Sequence, residues 1–159
     1  MRAAALLLMT AAVGLSACGF TPLYAEGVAG TEVSRIAVNT PDDRLGYRLR
    51  EQLEDALAVN RSAAPTRTLD IQVESARRPL GRRIDDTATR YELTVRAAWT
   101  LTSPGGGDPV GGVETATVTY AAADQPYAAI AAQQDGEDRA AADLARLLRI
   151  DILRALSSR

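Results

Sequence analysis

The sequence predicts an α+β domain, with two helices packed on one face of a four-stranded, mostly antiparallel sheet in the order β-α-β-β-β-α. Three observations carry this reading. Several runs alternate apolar and polar residues, the period of a strand with one buried face. Two runs repeat apolar residues three and four apart, the period of an amphipathic helix. Turn-forming residues fall between the runs. Clean alternation means that one sheet face is covered and the other is left to water or to a partner. Two amphipathic helices on a single face satisfy all the patterns at once.

Taken in order, Val33 to Val38 is the first strand. Thr40-Pro41-Asp42-Asp43 then opens a helix over 42–58, with Thr40 as N-cap, Pro41 at the first helical position and acids where the helix dipole favours them. Leu45, Leu49, Leu53, Ala56 and Leu57 share its apolar face. Leu69, Ile71 and Val73 alternate with Asp70, Gln72 and Glu74 as a half-buried second strand. Tyr91, Leu93, Val95, Ala97, Trp99 and Leu101, opposed by Arg90, Glu92, Thr94 and Arg96, make the longest strand signal. Pro104-Gly105-Gly106-Gly107-Asp108-Pro109 is a turn. Ala116, Val118 and Tyr120 against Thr115, Thr117 and Thr119 complete the meander. Asp135 and Asp138 open the last helix, whose buried stripe is Ala141, Leu144, Leu148, Ile152 and Leu156. The Ala-rich stretch 125–134 fits either a strand end or a loop, and there is no internal repeat.

Composition excludes several chemistries. The chain of 159 residues, 47% hydrophobic, is long enough for one core-bearing domain. It contains no His, which removes Ser-His-Asp and Cys-His nucleophile pairs and His-ligated metals. All eighteen basic residues are Arg, so there is no Schiff-base or phosphate-loop lysine. Paired carboxylates are the one common catalytic device left, and no enzyme is expected. A net charge of −2 argues against broad nucleic-acid binding.

The N-terminus points to the cell envelope. Arg2 precedes an apolar run from Ala3 to Gly14, too short to span a bilayer, which needs roughly 20 residues. It reads as a signal peptide over 1–17. Leu15-Ser16-Ala17-Cys18 resembles the lipobox of bacterial lipoproteins, so the mature chain is expected to begin at Cys18 and to carry N-acyl diacylglycerol there. The alternative is an ordinary secretory signal cut near Ala17, with Cys18 left as a free thiol. Each buried acyl methylene contributes about 0.8 kcal/mol, so two or three chains anchor stably where one is marginal. In lipoproteins of this kind Gly19, in place of an inner-membrane retention Asp, favours the outer membrane. Phe20 to Thr31, with Pro22, Gly27 and Gly30, reads as a tether, giving a lipidated segment 18–31 and a single domain 32–159. With one cysteine there is no intramolecular disulfide.

The mature start Cys18-Gly19-Phe20-Thr21-Pro22-Leu23-Tyr24, the mature length and the element order together resemble the LPS-assembly lipoprotein family LptE. The specific part is the Cys-Gly-Phe-x-Pro-Leu-Tyr start. The resemblance implies an α+β lipoprotein on the periplasmic side of the outer membrane. Its partner would be the large β-barrel LptD, whose lumen it plugs and whose assembly it assists, and it would take part in delivering lipopolysaccharide to the cell surface. It implies no cofactor beyond the lipid on Cys18. A stand-alone envelope lipoprotein acting as a binding or structural module is the competing reading, and a carboxylate-dependent hydrolase of cell wall or glycan a third.

One basic concentration stands out: Arg77, Arg78, Arg82 and Arg83, read as lying between the second and third strands. Guanidinium forks match phosphate oxygens, so these residues are candidates for lipopolysaccharide contact or for contact with the barrel. A solvated hairpin paired with Asp85 and Asp86 is the bland alternative. Trp99 falls on the apolar strand face and is expected in the core. Glu51, Glu54 and Asp55 have the spacing of a solvated helix face paired with Arg48 or Arg50. Phe20, Leu23 and Tyr24 are either simple linker residues or take an interfacial or barrel-docking role.

Overall fold

A computed structural model describes residues 33–82, 84 and 87–157, with only the backbone of Arg82 included. The signal peptide, Cys18, the tether, Arg83, Asp85, Asp86 and Ser158 lie outside the described residues. The elements are β1 (Ile36–Asn39), α1 (Arg44–Ala56), β2 (Arg67–Arg82), β3 (Ala88–Thr102), β4 (Val110–Ala121) and α2 (Pro126–Ser157). The sheet runs β1-β2-β3-β4. β1 and β2 are parallel and joined through α1, as a parallel pair requires. β2, β3 and β4 form an antiparallel meander. The sheet is therefore mixed and mostly antiparallel, as the sequence predicts.

Alternation sets the two faces. Ile36, Val38, Leu69, Ile71, Leu93, Val95, Ala97, Trp99, Leu101, Ala116, Val118 and Tyr120 are buried beneath the helices. The intervening Asp70, Gln72, Glu74, Arg96, Thr115, Thr117 and Thr119 face outward and are exposed. Leu49, Leu53, Leu144, Leu148 and Ile152 close the core from above, each fully buried. Burial of such side chains contributes about 1.5–3 kcal/mol apiece. Trp99 is 4% exposed, in the core as expected. It stands opposite Gly112, where a Cβ would come within 2.9 Å of the indole nitrogen, so a side chain there would displace the ring.

The helices are also joined at their solvent margin. Arg44 pairs with Glu137 at 3.2 Å and with Asp138 at 3.1 Å, and Arg48 reaches Asp138 at 3.0 Å. Asp138 therefore holds two helices together rather than capping one, and the arginines keep its carboxyl below the usual range.

Several boundaries differ from those the sequence predicts. α1 begins at Arg44 because Asp43, not Thr40, is the N-cap: Asp43 Oδ1 accepts from the Gly46 amide at 2.7 Å. The first strand is shorter, Ile36–Asn39, with Val33 buried ahead of it. α2 opens at Pro126, so 125–134 is neither loop nor strand end. The Gln125 carbonyl accepts from the Ala129 amide at 2.9 Å, which puts Pro126 at the first helical position, where its missing N–H costs nothing. Asp135 consequently sits within the helix and pairs with Arg139 at 3.0 Å.

Candidate functional site

The largest departure concerns β2, which continues through the arginines to Arg82. Ser75, Arg77 and Pro79 lack the apolar alternation of a strand, yet they are held in register by Val95, Leu93 and Tyr91 of β3. Arg77 and Arg78 are therefore strand residues and not part of a loop. Being consecutive, they point to opposite faces. Arg78 lies on the open face, where Nη2 and Nε donate to Glu92 Oε1 at 2.7 and 3.2 Å. Arg82 is the last residue of β2, two beyond Leu80, and the positive φ of 63° at Gly81 breaks the pairing just before it. Arg77 and Arg78 thus diverge across the sheet, while Arg82 ends the strand and Arg83 lies outside the described residues.

Arg77, on the helix-facing side, has the most elaborate surroundings. Its guanidinium lies 4.8 Å from the centroid of the Tyr91 ring, within cation–π range. Nη1 donates to Gln133 Oε1 of α2 at 3.1 Å. The Tyr120 ring packs against Tyr91 at 5.6 Å. The Tyr120 hydroxyl is buried and has no hydrogen-bond partner among the described residues. Arg77 is permanently charged. With Tyr91, Tyr120, Ala129, Ile130 and Gln133 it lines a groove of about 440 Å³ between the hairpin and the start of α2. Such a groove offers one fixed cation beside apolar and aromatic walls, which suits an amphipathic anion.

Tyr91, Tyr120, Ile130 and Gln133 were not singled out from sequence as site residues. The available signal was Gln125-Pro126 ahead of an Ala-rich run, a helix start that brings Ile130 and Gln133 over the hairpin.

Two of the helix-one carboxylates, Glu51 and Glu54, are engaged with arginines. Glu51 accepts from Arg48 at 2.7 Å, and Glu54 accepts from Arg61 Nε at 2.9 Å. Glu114 of β4 meets Asp151 of α2; the shared hydrogen bond and partial burial hold Glu114 above the usual carboxylate range. Asp151 is itself bonded to Arg154 at 2.7 Å, so this pair joins sheet to helix. Among the described residues no group of three or more metal-ligating side chains gathers, and no helix is long and apolar enough to cross a membrane.

Comparisons with known proteins agree with this architecture. The family model LptE: Lipopolysaccharide-assembly matches residues 32–152. A protein from Caulobacter crescentus CB15 described as a lipoprotein is 37% identical, with a TM-score of 0.69 over 83% of this chain and 97% of that one. An uncharacterized lipoprotein B from Nitrosomonas europaea, 15% identical with a TM-score of 0.52, covers 77% of this chain and 84% of its own and shares the fold. Rare lipoprotein B from Shewanella oneidensis is 19% identical, with a TM-score of 0.48 over 77% of this chain and 93% of its own. Among curated proteins none matches the chain. A family match over most of the predicted domain, on a fold with the order that family resemblance implies, settles membership: the chain belongs to the LptE family of lipopolysaccharide-assembly lipoproteins.

Proposed function

We propose that the mature chain is acylated at Cys18, held in the inner leaflet of the outer membrane, and seated as a non-catalytic plug in an LptD-like barrel. There it assists barrel assembly and lipopolysaccharide transport. The family match is the observation that carries this reading. The open sheet face, polar along β2, β3 and β4, suits the polar lumen of such a barrel. Pulling down the chain through a C-terminal tag after detergent extraction should recover a large barrel in equal amount. Recovery of the lipoprotein alone would instead support a stand-alone envelope module. Mass spectrometry of the processed N-terminus should find fatty acid on Cys18, and an unmodified residue there would remove the anchor.

Of Arg77, Arg78, Arg82 and Arg83, the candidates for contact with lipopolysaccharide or with the barrel, Arg77 is the one we assign to lipopolysaccharide. The supporting feature is the groove in which Arg77 meets aromatic and apolar walls, matching a phosphate next to acyl chains. Replacing all four by Ala should weaken binding of purified lipopolysaccharide. If affinity is unchanged while barrel recovery falls, these residues contact the barrel instead.

A further inference from the structure

We propose that Gln133 and Glu137 are positioning residues for Arg77: a chain of polar contacts, Arg44–Glu137–Gln133–Arg77, orients the guanidinium and leaves its charge uncancelled for a phosphate of the bound ligand. The inference rests on the assignment of Arg77 to lipopolysaccharide and is independent of the barrel-plug reading.

The chain crosses three elements. Arg44 of α1 pairs through Nε with Glu137 Oε2 of α2 at 3.2 Å. Glu137 Oε1 accepts from Gln133 Nε2, four residues earlier on the same helix, at 2.9 Å. Gln133 Oε1 in turn accepts from Arg77 Nη1 of β2 at 3.1 Å. Arg44 is itself held, since its Nη2 donates to Asp138, which also accepts from Arg48 Nε and Nη2 at 3.0 and 3.1 Å. The series therefore starts at the joint between the two helices and ends on the strand that carries Arg77. Its four members and Tyr120, whose buried hydroxyl has no partner among the described residues, line a cleft of about 350 Å³. Arg77, Tyr120 and Gln133 also line the aromatic groove, so they form the wall that the two openings share.

Chemistry fixes the direction of each bond. A carboxylate only accepts and a guanidinium only donates. Gln133 stands between one of each, and a single amide orientation satisfies both: NH2 to Glu137, carbonyl to Arg77. Glu137 thus aims the acceptor that Gln133 presents to Arg77. A guanidinium already held in place loses less freedom when a ligand binds. The same arrangement settles the charge. Arg44, Arg48, Arg78 and Arg139 each meet a carboxylate. Arg77 instead meets an amide oxygen and the Tyr91 ring, and neither cancels its charge. With Glu at position 133 the same bond would become an ion pair, and a phosphate would have to compete with it. An amide there orients without neutralising, which keeps the fork available for a charge-assisted contact.

The mature lipidated chain, extracted in detergent, can be titrated with purified lipopolysaccharide while the urea midpoint of each variant is followed. Arg77→Ala should weaken binding about tenfold or more, the ratio that corresponds to 1.4 kcal/mol. The double exchange Gln133→Glu with Glu137→Gln keeps net charge, and every donor still faces an acceptor, so the urea midpoint should stay near that of the parent. Its binding should nevertheless fall about as far as with Arg77→Ala, because Arg77 is now neutralised. Gln133→Met keeps the length but removes the acceptor, and should weaken binding about threefold, the scale of one modest hydrogen bond. Side-chain NMR reads the orientation without ligand: the Arg77 guanidinium should rotate slowly in the parent and faster in Gln133→Met. Parent-like binding by the double exchange, a loss of binding matched by a loss of stability, or equal rotation in parent and Gln133→Met would each overturn the positioning role, while weak binding by Arg77→Ala would leave the assignment of Arg77 standing. Unchanged binding by Arg77→Ala would overturn that assignment, and the positioning role with it.

Discussion

Gly136→Ala sets two calculable effects against each other. Inside the long helix α2, Ala is favoured over Gly by about 0.8–1 kcal/mol. The added Cβ, however, would lie 2.8 Å from Tyr120 Cδ1 and 3.4 Å from Cε1 and Cγ. The Tyr120 ring is 6% exposed and backed by Tyr91 at 5.6 Å, with Arg77 over the Tyr91 ring, so it has little room to retreat. Overpacking of this kind costs about 1–3 kcal/mol. The net expectation is a loss of up to about 2 kcal/mol, seen as a lower urea midpoint with unchanged slope. The lipid-free mature chain carrying Cys18→Ser is the convenient material. In a Tyr120→Leu background the ring is gone, and Gly136→Ala should then stabilise by about 1 kcal/mol. Contacting residues couple in this way and distant ones do not. If Gly136→Ala stabilises equally in both backgrounds, α2 does not rest on Tyr120 and the groove built there is misplaced.

Asp138 and Glu114 should respond to pH in opposite senses. The Arg48 hydrogen bond and the charges of Arg44 and Arg48 lower the Asp138 pKa on folding. Its contribution is then full above the ordinary carboxylate pKa and lost as pH falls through the depressed one; Asp138→Asn should lower the Tm near neutral pH and converge with the parent in acid. Glu114 is raised by Asp151 and by burial. Its protonated form favours the folded state, so that contribution is present in acid and lost as pH rises through the raised pKa. Glu114→Gln should raise the Tm near neutral pH, and a parent curve flat across this window would refute the pairing. Leu148→Ala, at a fully buried position, should cost about 2–5 kcal/mol by denaturant unfolding; a smaller loss would mean that the helices are not packed as described.

The elements with regular periodicity were legible in the chain. α1 and β3 follow from where their apolar residues recur, and the covered and open sheet faces follow from alternation. The identity of Trp99 as a core residue came from its place in that alternation. β2 was only half legible, because beyond Val73 the positions facing the helices hold Ser75, Arg77 and Pro79. Their strand conformation comes from pairing with β3, which is remote in sequence. The start of α2 was missed although Pro126 marks it, since Ala favours helix without producing an amphipathic pattern.

By itself, then, the chain determined its element types, its buried stripes and the envelope-lipoprotein expectation of its first residues. Only the tertiary structure decided that Arg77 and Arg78 part across the sheet, that Asp138 links two helices, and that Arg77 is stacked on Tyr91 beneath Gln133. Periodicity is a property of neighbours along one element, whereas a site is made by side chains that distant pairings bring together, and strand register and helix placement choose those pairings.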